Sequence, residues 1–393
     1  MHDYNEIIGR YEDELLNRVT PFWAERAVDR ENGGFFNSLD REGNCFDTAK
    51  SIAMQWRNVY MFAALYNSEY SKDEYLELAR FGFDFCWRTR RPDDGGYPAM
   101  TNAAGTPLMP GRGGFMGTMI FVYAGCACAE LFRATGEERF REEARSCFTN
   151  YLAGLKESEH FSRSELFPPM RRRGCYMHLC HLCRTMLVCG CEFDDKVRTA
   201  LEMTFEIIPR FYCPEAGRWL ESVPTDGGFR LESSLFRTVI PGHDFETMWF
   251  LIQGAELAGN REILGRVPEW TLRIFDYTTD RKNGGLFYYM DALDKPVWDG
   301  RDMVKGWWTH NEALLAAAFS YRISGDERLF ERFREVDEWS WRHFRDPDYP
   351  EWFGLVNYDG TVSNGFKGSP SKTFFHLPRA LYNCIQVFKA LAK

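Results

Sequence analysis

Apolar residues recur at a helical period through most of this chain, and the width of the apolar face separates two kinds of helix. Between Glu327 and Phe344, the residues Leu329, Phe333, Val336 and Phe344 fall on one stripe, while Glu331, Arg334, Glu335, Glu338 and Arg342 fill the rest. One dry stripe on a charged cylinder predicts an outer helix, half exposed. Ala313-Leu314-Leu315-Ala316-Ala317-Ala318-Phe319 is apolar on every face, as is much of Gly117 to Cys128. A helix with no polar face must be enclosed by others, so these are inner helices.

Turn signals cut this pattern into units. Asn32-Gly33-Gly34-Phe35, Asp94-Gly95-Gly96-Tyr97, Asp226-Gly227-Gly228-Phe229 and Asn283-Gly284-Gly285-Leu286 follow a spacing of roughly sixty residues. Where the signal is missing, Phe167-Pro168-Pro169 and Asp348-Tyr349-Pro350-Glu351-Trp352-Phe353-Gly354 also break helix. Six units result, each with an outer and an inner helix and a short aromatic, Gly-containing connection suited to a small hairpin. Such alternation closes into an all-α (α/α)6 barrel with short β-hairpins in its connecting loops, one domain over residues 1–393. Its inner helices are mutually parallel and start at the same end. The expected starts are near Ser51 to Arg57, Gly113 to Gly117, Cys175 to His178, His243, Thr309 to Glu312, and His376. Polar groups at those starts converge on one pocket mouth.

Composition narrows the class. Of 393 residues, 45% are apolar and 16% aromatic, enough for a large core, without a run of about 18 apolar residues that would span a membrane. Met1-His2-Asp3-Tyr4-Asn5-Glu6 has neither the basic nor the apolar region of a signal peptide, so a soluble, cytoplasmic protein is expected. Twelve cysteines scattered through helical patterns then read as reduced thiols packed as small hydrophobes. A net charge of −9 argues against a nucleic-acid or membrane partner, and Arg171-Arg172-Arg173 is too short a basic cluster to change that.

The candidate chemistry centres on two histidines. In Ile240-Pro241-Gly242-His243-Asp244-Phe245-Glu246 a Pro-Gly break puts His243 where a loop becomes a helix. The partial positive charge of that helix end disfavours imidazolium, so His243 is expected to be neutral and able to take a proton near pH 7. Phe374-Phe375-His376-Leu377-Pro378-Arg379 repeats the arrangement near the other end of the chain. Either histidine alone is equally well a cap or a packed core residue. Two of them at opposite sides of one pocket point to acid–base chemistry.

Other polar residues at these starts have two readings each. Glu246 is a first-turn acid complementing the helix dipole or a pocket residue. Glu312 closes the Thr-x-x-Glu spacing of Thr309-His310-Asn311-Glu312, so it is a capping-box partner or a pocket acid. Arg57 interrupts the apolar run Met54-Gln55-Trp56-Arg57-Asn58-Val59-Tyr60 and needs an acidic partner or a ligand. Cys175 to Cys183 carries zinc-binding residue types, but no second Cys-x-x-Cys accompanies it and side chains so close on one helix point in several directions; no metal site is expected. His178 from that segment is a pocket candidate. Trp307-Trp308 and Trp339-Ser340-Trp341 read as packing. No Walker loop or nucleophile elbow is present.

Taken in order, Pro21-Phe22-Trp23, Asn32-Gly33-Gly34-Phe35-Phe36, Arg57, Pro241-Gly242-His243, Trp307-Trp308-Thr309-His310-Asn311-Glu312-Ala313, Arg345-Asp346-Pro347, Glu351-Trp352-Phe353-Gly354, Lys372 and Phe375-His376-Leu377-Pro378-Arg379 resemble the N-acylglucosamine 2-epimerase family. The resemblance covers nearly the whole chain. It implies an (α/α)6 barrel that interconverts N-acyl-D-glucosamine and N-acyl-D-mannosamine, with His243 and His376 as the acid–base pair and Arg57, Glu246, Glu312 and Arg379 lining the sugar site. Two departures stand out: Gln55-Trp56-Arg57 where the N-acyl type has Gln-Gly-Arg, and Trp307-Trp308-Thr309-His310 where it has Trp-Trp-Pro-His. A histidine like His178 is more a feature of the cellobiose 2-epimerase and aldose-ketose isomerase relatives.

The implied reaction removes the C2 proton of the open-chain sugar with one histidine and returns a proton to the opposite face from the other, with Arg57 or Arg379 facing the charge that develops on O1. No metal or redox cofactor is required by it; ATP activation and a homodimeric state are further properties expected from the resemblance. An aldose-ketose isomerase, or a 2-epimerase of unsubstituted sugars such as mannose or cellobiose, would use the same pocket. A glycoside hydrolase using Asp244, Glu246 and Glu312, or a non-catalytic sugar-binding barrel, are the more distant alternatives.

Overall fold

Alternation of a one-sided and an all-round apolar helix, with a tight turn after each pair, generates the observed architecture. The computed structural model of the chain describes residues 3–109, 114–160, 169–193, 195–297 and 300–393. The first outer helix is built from α1 (Asn5–Asp13), a π-helical stretch over Glu14–Val19 and α2 (Thr20–Arg26). Inner and outer helices then alternate: α3 (Ile52–Tyr66), α4 (Asp73–Arg88), α5 (Gly114–Thr135), α6 (Glu138–His160), α7 (Arg173–Val188), α8 (Lys196–Ile207), α9 (Pro241–Ala258), α10 (Arg261–Thr278), α11 (Trp307–Ser324), α12 (Glu327–His343) and α13 (His376–Leu391).

Among the described residues, α3, α5, α7, α9, α11 and α13 pack in sequence order around the axis, and each outer helix lies against an inner one. Closure between α13 and α3 comes from Thr373 donating to Asn58 Oδ1 at 2.6 Å and from the Phe375 and Tyr60 rings, 5.8 Å apart. On the outside, Tyr11 of α1 donates to Asp337 of α12 at 2.7 Å. This is the (α/α)6 barrel expected from the periodicity. Every residue of α11 from Trp307 to Tyr321 is buried, whereas α12 buries Leu329, Phe330, Phe333, Val336, Asp337, Trp339 and Ser340 along one side.

The connections tie the helix starts to one another. Lys50–Ser51, just before α3, pairs antiparallel with Met100–Thr101; Met170–Arg172 before α7 pairs with Ser222–Pro224. Thr238–Val239 before α9 pairs with Met290–Asp291, and Val304–Gly306 before α11 with Leu355–Asn357. Four of the six inner starts, those of α3, α7, α9 and α11, are thus clipped to the loop of the next unit.

Beneath these clips lies a repeated buried ion pair. Asp29 N donates to Gly34 O at 3.0 Å, and Lys50 Nζ reaches Asp29 Oδ2 and Gly33 O at 2.7 Å each. Asp280 N donates to Gly285 O at 2.9 Å in the same way, with Lys305 Nζ at 2.6 Å from Asp280 Oδ2 and 2.7 Å from Gly284 O. Both Gly34 and Gly285 have positive φ, and a side chain there would collide with Gln55 and His310, whose Oε1 and Nε2 accept the next backbone N–H. The break at Asp348–Gly354 is a third copy: Lys367 binds Asp346 and Glu351 O, and Glu351 takes the positive φ. Glu351 also accepts from Trp23 and Lys372, at 2.7 and 2.6 Å, which locks three of the resemblance motifs beneath α13.

Three helix starts differ from expectation. α7 begins at Arg173, α9 at Pro241 and α11 at Trp307, each two residues earlier than the sequence pattern places them, because the preceding strand pairing ends there or just before. The break at Phe167-Pro168 and the start at Gly113 lie outside the described residues.

Candidate active site

With the starts located, a register appears. Arg57, His178, Glu246 and Glu312 are each the sixth residue of their inner helix. Equal depth along parallel helices brings them to one level, and His243 (third in α9), His376 and Arg379 (first and fourth in α13) and Tyr123 of α5 join them.

His376 Nδ1 lies 2.7 Å from Glu312 Oε1, and its Nε2 faces Arg57 Nη1 at 3.4 Å. Guanidinium nitrogens lie 3.4 Å from both ring nitrogens, Arg57 Nη1 from Nε2 and Arg379 Nη2 from Nδ1, so the short contact to an accepting carboxylate assigns the tautomer: Nδ1–H donates to Glu312 and Nε2 carries the lone pair. Burial, then the positive charges of Arg57 and Arg379, hold His376 well below the usual histidine range. Glu312 is fully buried and also accepts from Trp249 Nε1 at 2.8 Å and Arg379 Nη2 at 2.7 Å. Burial pushes its carboxyl upward against the pull of Arg379. The capping-box reading of Glu312 is therefore corrected: Gly306 is the N-cap, and among the described residues Thr309 Oγ1 has no partner.

His243 is oriented likewise by a residue that the sequence pattern does not single out. Its Nδ1 is 3.0 Å from Glu221 Oε2, and Nε2 has no protein partner among the described residues. Burial alone would lower His243, but the Glu221 carboxylate outweighs it and raises the imidazole above its ordinary value. Glu221 shows the converse: burial favours its neutral form, yet His243 and Arg173 hold it at about 2. The lowering of His243 expected from the helix end is not found, because a full anion at hydrogen-bond distance exceeds the roughly half charge of a helix end. Arg173 is fully buried, paired with Asp244, and Asp244 accepts from Tyr277 at 2.7 Å. Burial pushes Asp244 up to about 6 despite Arg173.

The Trp308 indole stands between the two histidines, its ring centre 5.4 Å from each. Gly242 permits this, since a Cβ there would lie 2.2 Å from the indole. Trp308 thus belongs to the site and not only to the packing. On the far side, His178 Nδ1 donates to Gly174 O at 2.6 Å while Nε2 accepts from Tyr123 at 3.1 Å, and Tyr123 in turn receives Arg57. Burial lowers His178 to about 4. With both nitrogens engaged, His178 acts on the site through Tyr123 and Arg57. Tyr123 has one sequence signal, a lone phenol inside an apolar run.

Glu246 and Glu312 both face Arg379, Glu246 Oε1 at 2.5 Å from Nη2. Donor atoms of Glu246, Glu312 and His376 lie within 4.8 Å of one another, the kind of group that holds a cation, and the cation they face is the Arg379 guanidinium. Elsewhere on α7 the metal-type residues diverge, with His181 stacked on Phe250 at 4.4 Å and Cys180 turned to Phe250 O. All twelve cysteines are unpaired thiols. A hydrolase-type acid pair is not built here: Asp244 is spent on Arg173 and both glutamates on Arg379.

Residues 34–380 match the profile of the family described as N-acylglucosamine 2-epimerase (GlcNAc 2-epimerase). The chain belongs to this family. It is 32% identical over 388 residues to the N-acylglucosamine 2-epimerase of Homo sapiens, covering 96% of this chain and 89% of that one. It is 23% identical over 380 residues to a cellobiose 2-epimerase of Bacteroides fragilis, covering 89% and 91%. The fold matches a solved cellobiose 2-epimerase from Bacillus thermoamylovorans B4167 with a TM-score of 0.81 at 17% identity, over 97% and 99% of the two chains. A solved D-mannose isomerase matches at 0.80 and 18% identity, over 98% of each. As a member of the N-acylglucosamine 2-epimerase family the protein is an enzyme, a carbohydrate epimerase of the isomerase class. Its two departures from the N-acyl pattern lie behind the site: Trp56 packs on Phe83 and Tyr97, and Thr309 is buried. Among the described residues no helix is long and apolar enough to cross a membrane.

Proposed function

We propose that this enzyme interconverts N-acyl-D-glucosamine and N-acyl-D-mannosamine by removing the C2 proton of the open-chain sugar with one of His376 and His243 and returning a different proton to the opposite face from the other. The observation that carries the reading is the pair of imidazole–carboxylate couples, His376–Glu312 and His243–Glu221, whose rings flank one indole at 5.4 Å each. Each carboxylate takes Nδ1–H and directs Nε2 to the sugar; the Nε2 of His376 also faces Arg57 Nη1 at 3.4 Å. His376, held neutral, removes the C2 proton; His243, inclined to hold its proton, delivers it to the opposite face. The charges have then changed places, and the reverse reaction starts from that state. Each such transfer is worth about 10²–10⁴-fold.

Arg57 is the cation for the oxyanion on O1. Among the described residues it has no carboxylate partner, and its guanidinium is bounded by Tyr123, Phe375 and His376. Arg379 is already neutralised by two glutamates. An unbalanced cation beside the base stabilises negative charge that exists only in the enolate-like state. Proton removal and return leave the oxidation state of the sugar unchanged, so the step as written uses no redox carrier.

Incubation with N-acetylmannosamine in deuterated water, followed by NMR, tests this: the C2-inverted, C2-deuterated aldose is expected. A ketose product, or turnover of mannose or cellobiose alone, overturns it. ATP activation and a homodimeric assembly belong to the same proposal and are read from rates with and without the nucleotide and from sedimentation. A cytoplasmic setting accords with eleven buried, unpaired thiols.

A further inference from the structure

The two histidine–carboxylate couples are built differently. Glu312 is an inner-helix residue sealed inside the barrel. Glu221 has 17% side-chain exposure and sits on the irregular stretch between Arg218–Trp219 and Ser222–Pro224. Its backbone is nevertheless pinned on both sides. Arg173 N donates to Glu221 O at 2.9 Å, and Glu221 N donates to Thr238 O at 2.9 Å, so this residue bridges the chain entering α7 to the chain entering α9. Its Oε2 meets His243 Nδ1 at 3.0 Å and Arg173 Nη2 at 3.4 Å, and Arg173 is held by Asp244 against Tyr277. Gly174 leaves the room: a Cβ there would stand 3.3 Å from Glu221 Oε1 and 3.8 Å from His243 Cε1.

From this geometry we infer that Glu221 is a positioning residue for one of the two proton transfers, holding His243 through Nδ1 so that Nε2 faces the sugar, with Arg173, Asp244 and Tyr277 as its brace. The inference rests on the two-histidine reading. Glu221 makes no contact with His376, whose ring is held by Glu312 from α11. Loss of the Glu221 charge therefore weakens one step and spares the other. The charged and titratable groups around His243 are Glu221 from its loop, Arg173 and His178 from α7, and Asp244 and Glu246 from α9. Tyr277 of α10 lies behind Asp244, and Trp308 of α11 covers the ring. With Glu221 neutralised, Arg173 opposes the imidazolium while Glu246 alone favours it, so the proton leaves His243 at lower pH.

The test uses Glu221→Gln, Glu221→Asp and His243→Asn in the full chain. Solvent deuterium entry at C2 is followed in each epimer separately, alongside net conversion and melting. For Glu221→Gln, net conversion is expected to fall at least about tenfold. Exchange without inversion is expected to persist at close to the wild-type rate in the one epimer whose C2–H faces His376. The alkaline limb of the pH–rate profile moves to lower pH, and Glu221→Asp recovers most of the conversion. Equal loss of exchange in both epimers, or wild-type conversion by Glu221→Gln while His243→Asn is inactive, overturns the role of Glu221 alone. Wild-type conversion by His243→Asn overturns the two-histidine reading itself.

Discussion

Gly242→Ala adds a single methyl group to the second residue of α9, and its effect separates packing from catalysis. The new Cβ would lie 2.2, 2.3 and 2.7 Å from three carbons of the Trp308 ring, where ordinary contact is 3.4–4 Å. The indole has little freedom, being buried, donating to Tyr288 Oη at 3.1 Å and lying against both His243 and His376. It must retreat by about 1 Å, and a misplacement of that size beside reacting groups costs about 10²-fold in rate. Stability changes less, because alanine gains about 0.5–1 kcal/mol over glycine in a helix while overpacking costs about 1–3 kcal/mol. The expected variant is folded, melts a few degrees lower at most, and converts sugar about 10²-fold more slowly. Initial rates by NMR and a melting curve decide it. Gly265→Ala is the control, since nothing lies within 4 Å of that position on α10, and it should keep full activity with a slightly raised melting temperature. Conversion within a factor of three of wild type by a folded Gly242→Ala would refute the placement of the Trp308 indole as part of the site.

Glu312→Ala is expected to abolish measurable conversion and, by leaving Arg379 with one of its two carboxylates, to destabilise by about 3–5 kcal/mol. Thr309→Ala should move stability by no more than about 0.5 kcal/mol, because its hydroxyl caps nothing; a loss near the about 1 kcal/mol typical of an N-cap would restore the capping-box reading. Lys305→Ala, which strands the buried Asp280 carboxylate and Gly284 carbonyl, should cost about 3–5 kcal/mol in denaturant unfolding while the folded fraction retains its kcat. Initial rates between pH 4 and 10 should trace a bell. The raised His243 keeps its proton above the usual histidine value, so activity falls on the alkaline side once that proton leaves. The depressed His376 stays neutral until well below 6.5, which sets the acid limb. A rate independent of pH across 6 to 9 would contradict this assignment.

Helix type, unit count and the end of the barrel where the candidate site residues gather were legible along the chain because they are local. A stripe or a continuous apolar run depends only on residues three and four apart, and Asn-Gly-Gly or Asp-Gly-Gly announces a left-handed turn wherever it stands. Resemblance in the motifs added the family and a list of site residues, of which His243, His376, Arg57, Glu246, Glu312 and Arg379 come together with His178 one layer behind. What the tertiary structure alone decided is who faces whom. The starts of α7 and α11 were set by strands pairing with segments about fifty residues away in chain order, and that pairing puts Arg57, His178, Glu246 and Glu312 at one depth. Glu221, on an irregular stretch with no periodicity of its own, reaches His243 only because Arg173 and Thr238 hold its backbone, and its charge reverses the direction in which the helix end shifts the imidazole. A dipole is a property of a segment and can be read from it; the nearest opposite charge is a property of the packed chain and cannot.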